Sequence, residues 1–287
     1  MFSTLVLGLA MSFGGSEKDI VYSVVGGAQV KADFYAPELR NSKGDPFVLV
    51  VHGGGWTGGK KEDMAMLCEE LAKVGIASAT VDYRLAPQSK YPAQLDDVQT
   101  AVRFFRAKHE KYGIRTDKIA AAGASAGGHL SLLLGFRDTK GSKLAEYPDQ
   151  SSKVQFVLNL FGPTDLRFDF ASAVAGLISL QVTGMQYDPT SEMTKNFSPV
   201  TYVDSTSAEV FTIHGEADPL VPVKQAKRLD EALGAAHVKH TMRLIPGMKH
   251  EINTEIPEMK TAVAEALKFL VDRLGEGQQG SSWSSGQ

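Results

Sequence analysis

The stretch Ile119–Leu130, IAAAGASAGGHL, decides how the rest of the chain is read. Ile119–Ala122 is a short apolar run of the kind that forms a buried strand, and Leu130, Leu133 and Leu134 recur at helical spacing just after it. Between them lies Gly123-Ala124-Ser125-Ala126-Gly127, a G-x-S-x-G pattern. A serine on so sharp a strand-to-helix turn projects its hydroxyl, and side chains on the flanking positions would collide. The helix that follows aims its first N–H groups at charge developing near that hydroxyl. Ser125 is therefore a candidate nucleophile; the blander reading is a glycine-rich turn without chemistry, and the rest of the chain has to decide.

Outward from this point, strand-like and helix-like segments alternate. Apolar, β-branched runs occur at 20–25, 30–36, 47–52, 77–82, 119–122, 154–161, 210–214 and 238–244. Helical faces follow at Met64/Leu67/Leu71/Val74, Val98/Ala101/Val102/Phe105, Leu130/Leu133/Leu134, Ala226/Leu229/Leu233 and Val263/Ala266/Leu267/Leu270. Gly26-Gly27 makes the first two strands a hairpin. From Phe47 onward the alternation predicts an α/β fold: about eight strands, mostly parallel, with helices on both faces. The stretch 164–208 has no clear strand and reads as a small insertion over the C-terminal strand ends. Residues 20–274 then form one domain, 1–19 an arm or signal-like segment, and the Gly/Ser/Gln-rich 275–287 a flexible tail.

Composition narrows the function. The 287 residues are 43% hydrophobic and carry a formal charge of −3, which favours neither nucleic acid nor an anionic membrane as partner. Lys60-Lys61 reads as solvated surface. Cys68, the single cysteine, sits in an apolar helical pattern and reads as buried. No run reaches the roughly 18 apolar residues of a membrane span. Leu5–Phe13 is apolar enough for a signal core but lacks a preceding positive charge, so export and a cytoplasmic location are both compatible with it.

In a parallel sheet, ligands gather beyond the C-terminal strand ends, so residues there are the leading candidates. A serine nucleophile needs a base, and the base an orienting acid. Of seven histidines, His109 reads as surface, His129 as packing behind the elbow, and His214 as a strand end. His237 and His240 fall on opposite faces of one strand, which argues against a shared metal. His250, in the late loop LIPGMKHE, can reach a central serine and is the candidate base. Asp218 in FTIHGEADPLVP is the candidate acid, ahead of Glu216 and Asp165. Serine attack on a carbonyl makes an oxyanion, which backbone N–H groups must hold. Ala126 is one expected donor. Gly54 and Gly55, in the loop FVLVVHGGGW after a strand, are the others, since a loop without Cβ atoms can approach the substrate oxygen. His52 is expected to brace that loop. Trp56 either walls the substrate pocket or packs beneath the loop.

HGGGW, VDYRLAPQSKYPAQLDDV, GASAGGHL, FGPTDL, SPVTYV, HGEADPLVPVKQA and PGMKHE follow one another in that order. The chain thereby resembles the α/β-hydrolase carboxylesterases of the hormone-sensitive-lipase-like and feruloyl/acetyl-xylan-esterase-like group. The resemblance covers about residues 20–274. It implies Ser125, Asp218 and His250 as the triad, Gly54, Gly55 and Ala126 as the oxyanion hole, and no metal or organic cofactor. It also implies that Tyr83, Arg84, Pro92, Asp96 and Asp97 form a scaffold for the glycine loop. Ala124, where many hormone-sensitive-lipase-like members carry an acid, and the absence of a long N-terminal cap both lean toward the sugar-ester branch. The expected substrate is a short-chain acyl ester, small or oligosaccharide, with acetyl or feruloyl esters of plant-cell-wall sugars as the leading class. Two alternatives share the motifs: an amidase or peptidase of the same fold, and a non-catalytic ligand-binding receptor.

Overall fold

The computed structural model describes residues 15–141, 146–170 and 172–275. The expectations for 1–14 and 276–287 lie outside them. Eight strands form one sheet among these residues: β1 (Ser16–Val25), β2 (Ala28–Tyr35), β3 (Asp45–Val51), β4 (Ala77–Val81), β5 (Ile114–Ala124), β6 (Phe156–Leu160), β7 (Glu209–Gly215) and β8 (His240–Ile245). Their spatial order is β1-β2-β4-β3-β5-β6-β7-β8. The pairs β1/β2 and β2/β4 are antiparallel and all others parallel. The α-helices among the described residues are α1 (Ala65–Lys73), α2 (Ala93–Ala107), α3 (His109–Tyr112), α4 (Ala126–Phe136), α5 (Ser172–Ile178), α6 (Glu192–Asn196), α7 (Lys224–Ala235) and α8 (Pro257–Leu274).

Strand periodicity sorts the core into two halves. Along β3, Phe47, Leu49 and Val51 join the cluster that holds α2, α4 and α7 residues, while Val48 and Val50 face the cluster with Cys68, Leu71 and α8. β5 does the same with Ile119/Ala121 and Ala120/Ala122. Being covered on both faces is why FVLVV contains no polar residue. Helix α4 is buried along its whole length, so it too is mostly apolar all round, with His129 and Ser131 as its buried polar residues.

Several expectations shift. β1 begins at Ser16 and β6 is shorter than 154–161. Val74 caps α1 and is 43% exposed, and Cys68 takes its place on the buried face. His237 is not on β8: it has φ +57 in the turn that closes α7, with its N–H donating to Gly234 O. Lys61 is not solvated surface. It is buried and pairs with Asp33 at 3.0 Å and Asp19 at 3.3 Å. Burial alone would lower its pKa, but the Glu62 and Asp33 carboxylates outweigh it and hold the amine charged. The sequence could not show this, because the partner Asp33 sits on another strand.

The insertion is mostly short helical pieces. Thr164 is tied to α7 through Gln225, whose Oε1 accepts from Thr164 N–H at 2.9 Å. Phe197 reaches the first turns of α4 and the loop after β3, packing on His129 and Trp56 at ring distances of 4.6 and 5.0 Å.

What locates the elbow is a close approach. A Cβ on Gly127 would overlap the Val51 carbonyl oxygen and lie 2.6 Å from that of His52. Both obstacles are backbone of a central strand and cannot swing aside. Gly127→Ala is therefore expected to cost at least about 2 kcal/mol, a Tm drop of roughly 4–8 °C. Thermal unfolding checks this, and an unchanged Tm would contradict the packing argument.

Candidate active site

Ser125 follows β5 and caps α4 with φ +55 and ψ −121, a conformation that bulky residues avoid. It is held from both sides: its N–H donates to Leu160 O at 2.9 Å and its carbonyl accepts from His129 N–H at 3.0 Å. The side chain is thereby turned out beyond the strand ends, at the N-terminus of a fully buried helix.

His250 and Asp218 meet it there. His250 Nε2 lies 2.8 Å from Ser125 Oγ, and Nδ1 lies 2.6 Å from Asp218 Oδ2. An ionised Asp218 only accepts, so Nδ1 carries the proton and Nε2 presents a lone pair to the serine hydroxyl. The other Asp218 oxygen accepts from Leu220 N–H at 2.9 Å and Val221 N–H at 2.8 Å. Burial would raise the Asp218 pKa, but the hydrogen bonds from His250, Val221 and Leu220 pull it below the usual carboxylate value. The competing acids stand elsewhere. Glu216 is exposed, and Asp165 pairs with Arg167 at 2.7 Å.

The glycine loop lies against the serine. A Cβ on Gly53 would be 3.0 Å from Ala124 O and 3.4 Å from Ser125 Cβ. Gly54 at φ +104 folds the loop onto Gly58, leaving no room for a side chain, and Gly54 O accepts from Thr57 and Gly58 N–H. Among the described residues, the N–H groups of Gly54, Gly55 and Ala126 donate to no other loop or turn carbonyl. Gly54 and Gly55 are solvent-exposed, as a ligand-facing backbone needs. The loop is braced from below. Tyr83 Oη donates to His52 O at 3.1 Å and its ring stacks on the His52 imidazole at 4.2 Å; Ala86 N–H donates to Trp56 O at 2.9 Å. Arg84 in turn forks onto Asp97 at 2.7–3.0 Å. Asp96, by contrast, is exposed and does not touch the loop.

Trp56 corrects one expectation. It is 2% exposed, so it does not wall an open pocket. At φ +60 its side chain turns inward, and the ring fits edge-on against His129 at 5.0 Å with Phe197 beside it. Phe197 comes from the insertion, whose packing no local pattern reveals. Phe161, against His250, carries no signal in the sequence either, although it follows β6 and strand ends are where a ligand site is expected.

The buried histidines around the site are pushed toward the neutral form. His129 Nε2–H donates to Phe197 O at 2.7 Å, and burial pushes its pKa down to about 4 against that bond. Burial also lowers His52 and His214, the latter donating to Val221 O at 2.8 Å. Among the described residues no group of His, Cys, Asp and Glu is arranged to hold a metal, and no helix is long and apolar enough to cross a membrane.

A depressed histidine pKa makes folding pH-dependent: the stabilisation is present above the unfolded value of about 6.5 and is lost as pH falls through the folded one. For His129 the loss by pH 4 is on the order of 3 kcal/mol. Urea unfolding at pH 7.5, 5.5 and 4.5 should show stability falling, and His129→Gln should flatten that decline.

Known proteins give this geometry its context. LipC, an esterase of Mycobacterium tuberculosis, is 33% identical over 73% of this chain and 53% of its own length. The ethyl acetate hydrolase of Pseudomonas putida is 29% identical over 77% of this chain and 72% of its own. The chain spans roughly half to three-fifths of the curated mycobacterial relatives it matches. Among solved structures, a truncated carbohydrate esterase from gut microbiota superposes with a TM-score of 0.78 at 25% identity, covering 92% of this chain and 98% of that one. A bifunctional GH43-CE protein of Bacteroides eggerthii gives 0.77 at 27% identity, over 91% of this chain and 38% of that one. Residues 32–233 match the family described as BD-FAE, and the chain belongs to that family, on an α/β-hydrolase fold.

Proposed function

We propose that this protein is a serine carboxylic-ester hydrolase that works through an acyl-enzyme. The observation that carries the reading is the unbroken path Asp218–His250–Ser125, at 2.6 and 2.8 Å, beside free backbone donors. Ser125 Oγ attacks the ester carbonyl as His250 Nε2 takes its proton. The carbonyl oxygen becomes an anion and is held by the Gly54, Gly55 and Ala126 N–H groups, with the α4 dipole behind Ala126. His250 returns the proton to the leaving alcohol. Water, activated by the same nitrogen, then releases the acid and frees Ser125. Asp218 keeps the imidazole in the one tautomer that can do this.

The substrate class follows from the site's surroundings and from the relatives. The glycine loop is exposed and the insertion is short, so a bulky alcohol is accommodated outside the strand ends while the acyl group has little covered length. The neighbouring proteins whose names mention carbohydrate esters or ethyl acetate support short acyl groups, with acetylated sugars as the leading alcohol class. Nothing in the site favours amides.

Ser125→Ala should lower kcat by on the order of 10⁴–10⁶ on p-nitrophenyl acetate; near-normal turnover would refute the assignment. Across a p-nitrophenyl acyl series, kcat/KM should peak at C2–C4, and acetylated xylo-oligosaccharides should release acetate. Faster cleavage of octanoyl than of acetyl esters would overturn the short-acyl reading.

A further inference from the structure

Phe161 follows β6 and is a large side chain in the wrong kind of backbone. Its φ is +43, a region that aromatic residues rarely enter and that costs of order 1–3 kcal/mol. The surroundings enforce it. Phe161 N–H donates to Ile213 O at 2.8 Å, and the preceding carbonyl, Leu160 O, holds the Ser125 N–H. Immediately after, Gly162 N–H donates to Asn159 Oδ1 at 3.0 Å, and the turn runs so close beneath α4 that a Cβ on Gly162 would be 2.6 Å from His129 N. The chain must bend here, and a glycine at 161 would bend more cheaply.

The phenyl ring has one notable neighbour. It is 4% exposed and packs tilted at 62° against the His250 imidazole, with 4.6 Å between ring centres. The two hydrogen bonds of His250 lie on opposite sides of its ring, at Nδ1 and Nε2. They fix the line through those atoms, and roll of the ring about it is limited by the Cβ–Cγ bond and by whatever packs against the ring. A ring packed against the imidazole blocks that roll. Because Leu160 holds the serine backbone, the same two residues register nucleophile and base against each other.

We propose that Phe161 is a positioning residue for His250, held in a strained conformation because its ring sets the tilt of the imidazole. The inference rests on the triad reading above. The test compares wild type with Phe161→Leu, which keeps apolar bulk but no ring, and Phe161→Tyr, which keeps the ring. Four readouts are needed: steady-state kinetics on p-nitrophenyl acetate, the rate at which an organophosphonate labels Ser125, the far-downfield proton resonance of the Asp218–His250 bond, and Tm. Phe161→Leu should lose 10–100-fold in kcat with KM within about threefold. Its labelling rate should fall in parallel and the resonance should broaden, with Tm within a few degrees of wild type. Phe161→Tyr should stay within about threefold on every rate. Phe161→Leu with wild-type turnover, labelling and resonance would overturn the proposal, as would a loss that follows Tm alone across both variants. A wild type inert to both acetate ester and phosphonate would instead sink the ester-hydrolase reading, and the resonance would then decide the positioning role by itself.

Discussion

Everything at the site depends on how closely helix α4 can approach the end of β3. Gly127 lets the helix backbone rest on the carbonyl oxygens of Val51 and His52, with no atom to spare. Because of that approach, the loop leaving β3 emerges beside the serine that starts the helix. The Ser125 hydroxyl and two sets of backbone N–H groups, some seventy residues apart in sequence, become neighbours. The strain at Ser125 is a consequence of the same squeeze, since a strand must turn into a helix over a single residue.

Electrostatics then divide the histidines by burial. His52, His129 and His214 are enclosed, hold one carbonyl each, and are kept neutral by the cost of burying charge. They act as struts: His52 under the glycine loop, His129 between the elbow helix and the insertion, His214 under the Asp218 loop. Among the described histidines, His250 stands between a carboxylate and a hydroxyl, with 13% of its side chain exposed at the strand ends.

Much of this was legible in the sequence. A strand covered on both faces reads as an unbroken apolar run, so β3 was visible within a residue or two; β4, with Ser78 and Thr80 buried among its small residues, was placed as closely by its position before a helix. The elbow was visible because its chemistry demands glycines at fixed offsets. Asp218 and His250 were visible because each follows a strand whose end must face the site. The failures share a cause, which is dependence on contacts far away in sequence. Lys61 looks like surface until Asp33 is placed beside it. Trp56 looks like a pocket wall until φ +60 and Phe197 turn it inward. Phe161 looks like one more apolar residue at a strand end, since backbone strain leaves no mark in composition. The insertion from 164 to 208 carries no strong period, and its packing on α4 and α7 runs through side chains such as Gln225 whose role no local pattern announces.

Asp218 has one further consequence. One of its oxygens is occupied by two backbone N–H groups and the other by His250, with His214 Nε2 3.6 Å away. A carboxylate so fully hydrogen-bonded gains nothing by taking up a proton, since protonation would turn an acceptor toward donors. In the proposed mechanism every proton transfer therefore runs between Nε2 and an oxygen, and the acid serves as a fixed negative wall behind it. On that mechanism a single proton is in flight at each barrier, and none of the heavy-water isotope effect arises at Asp218.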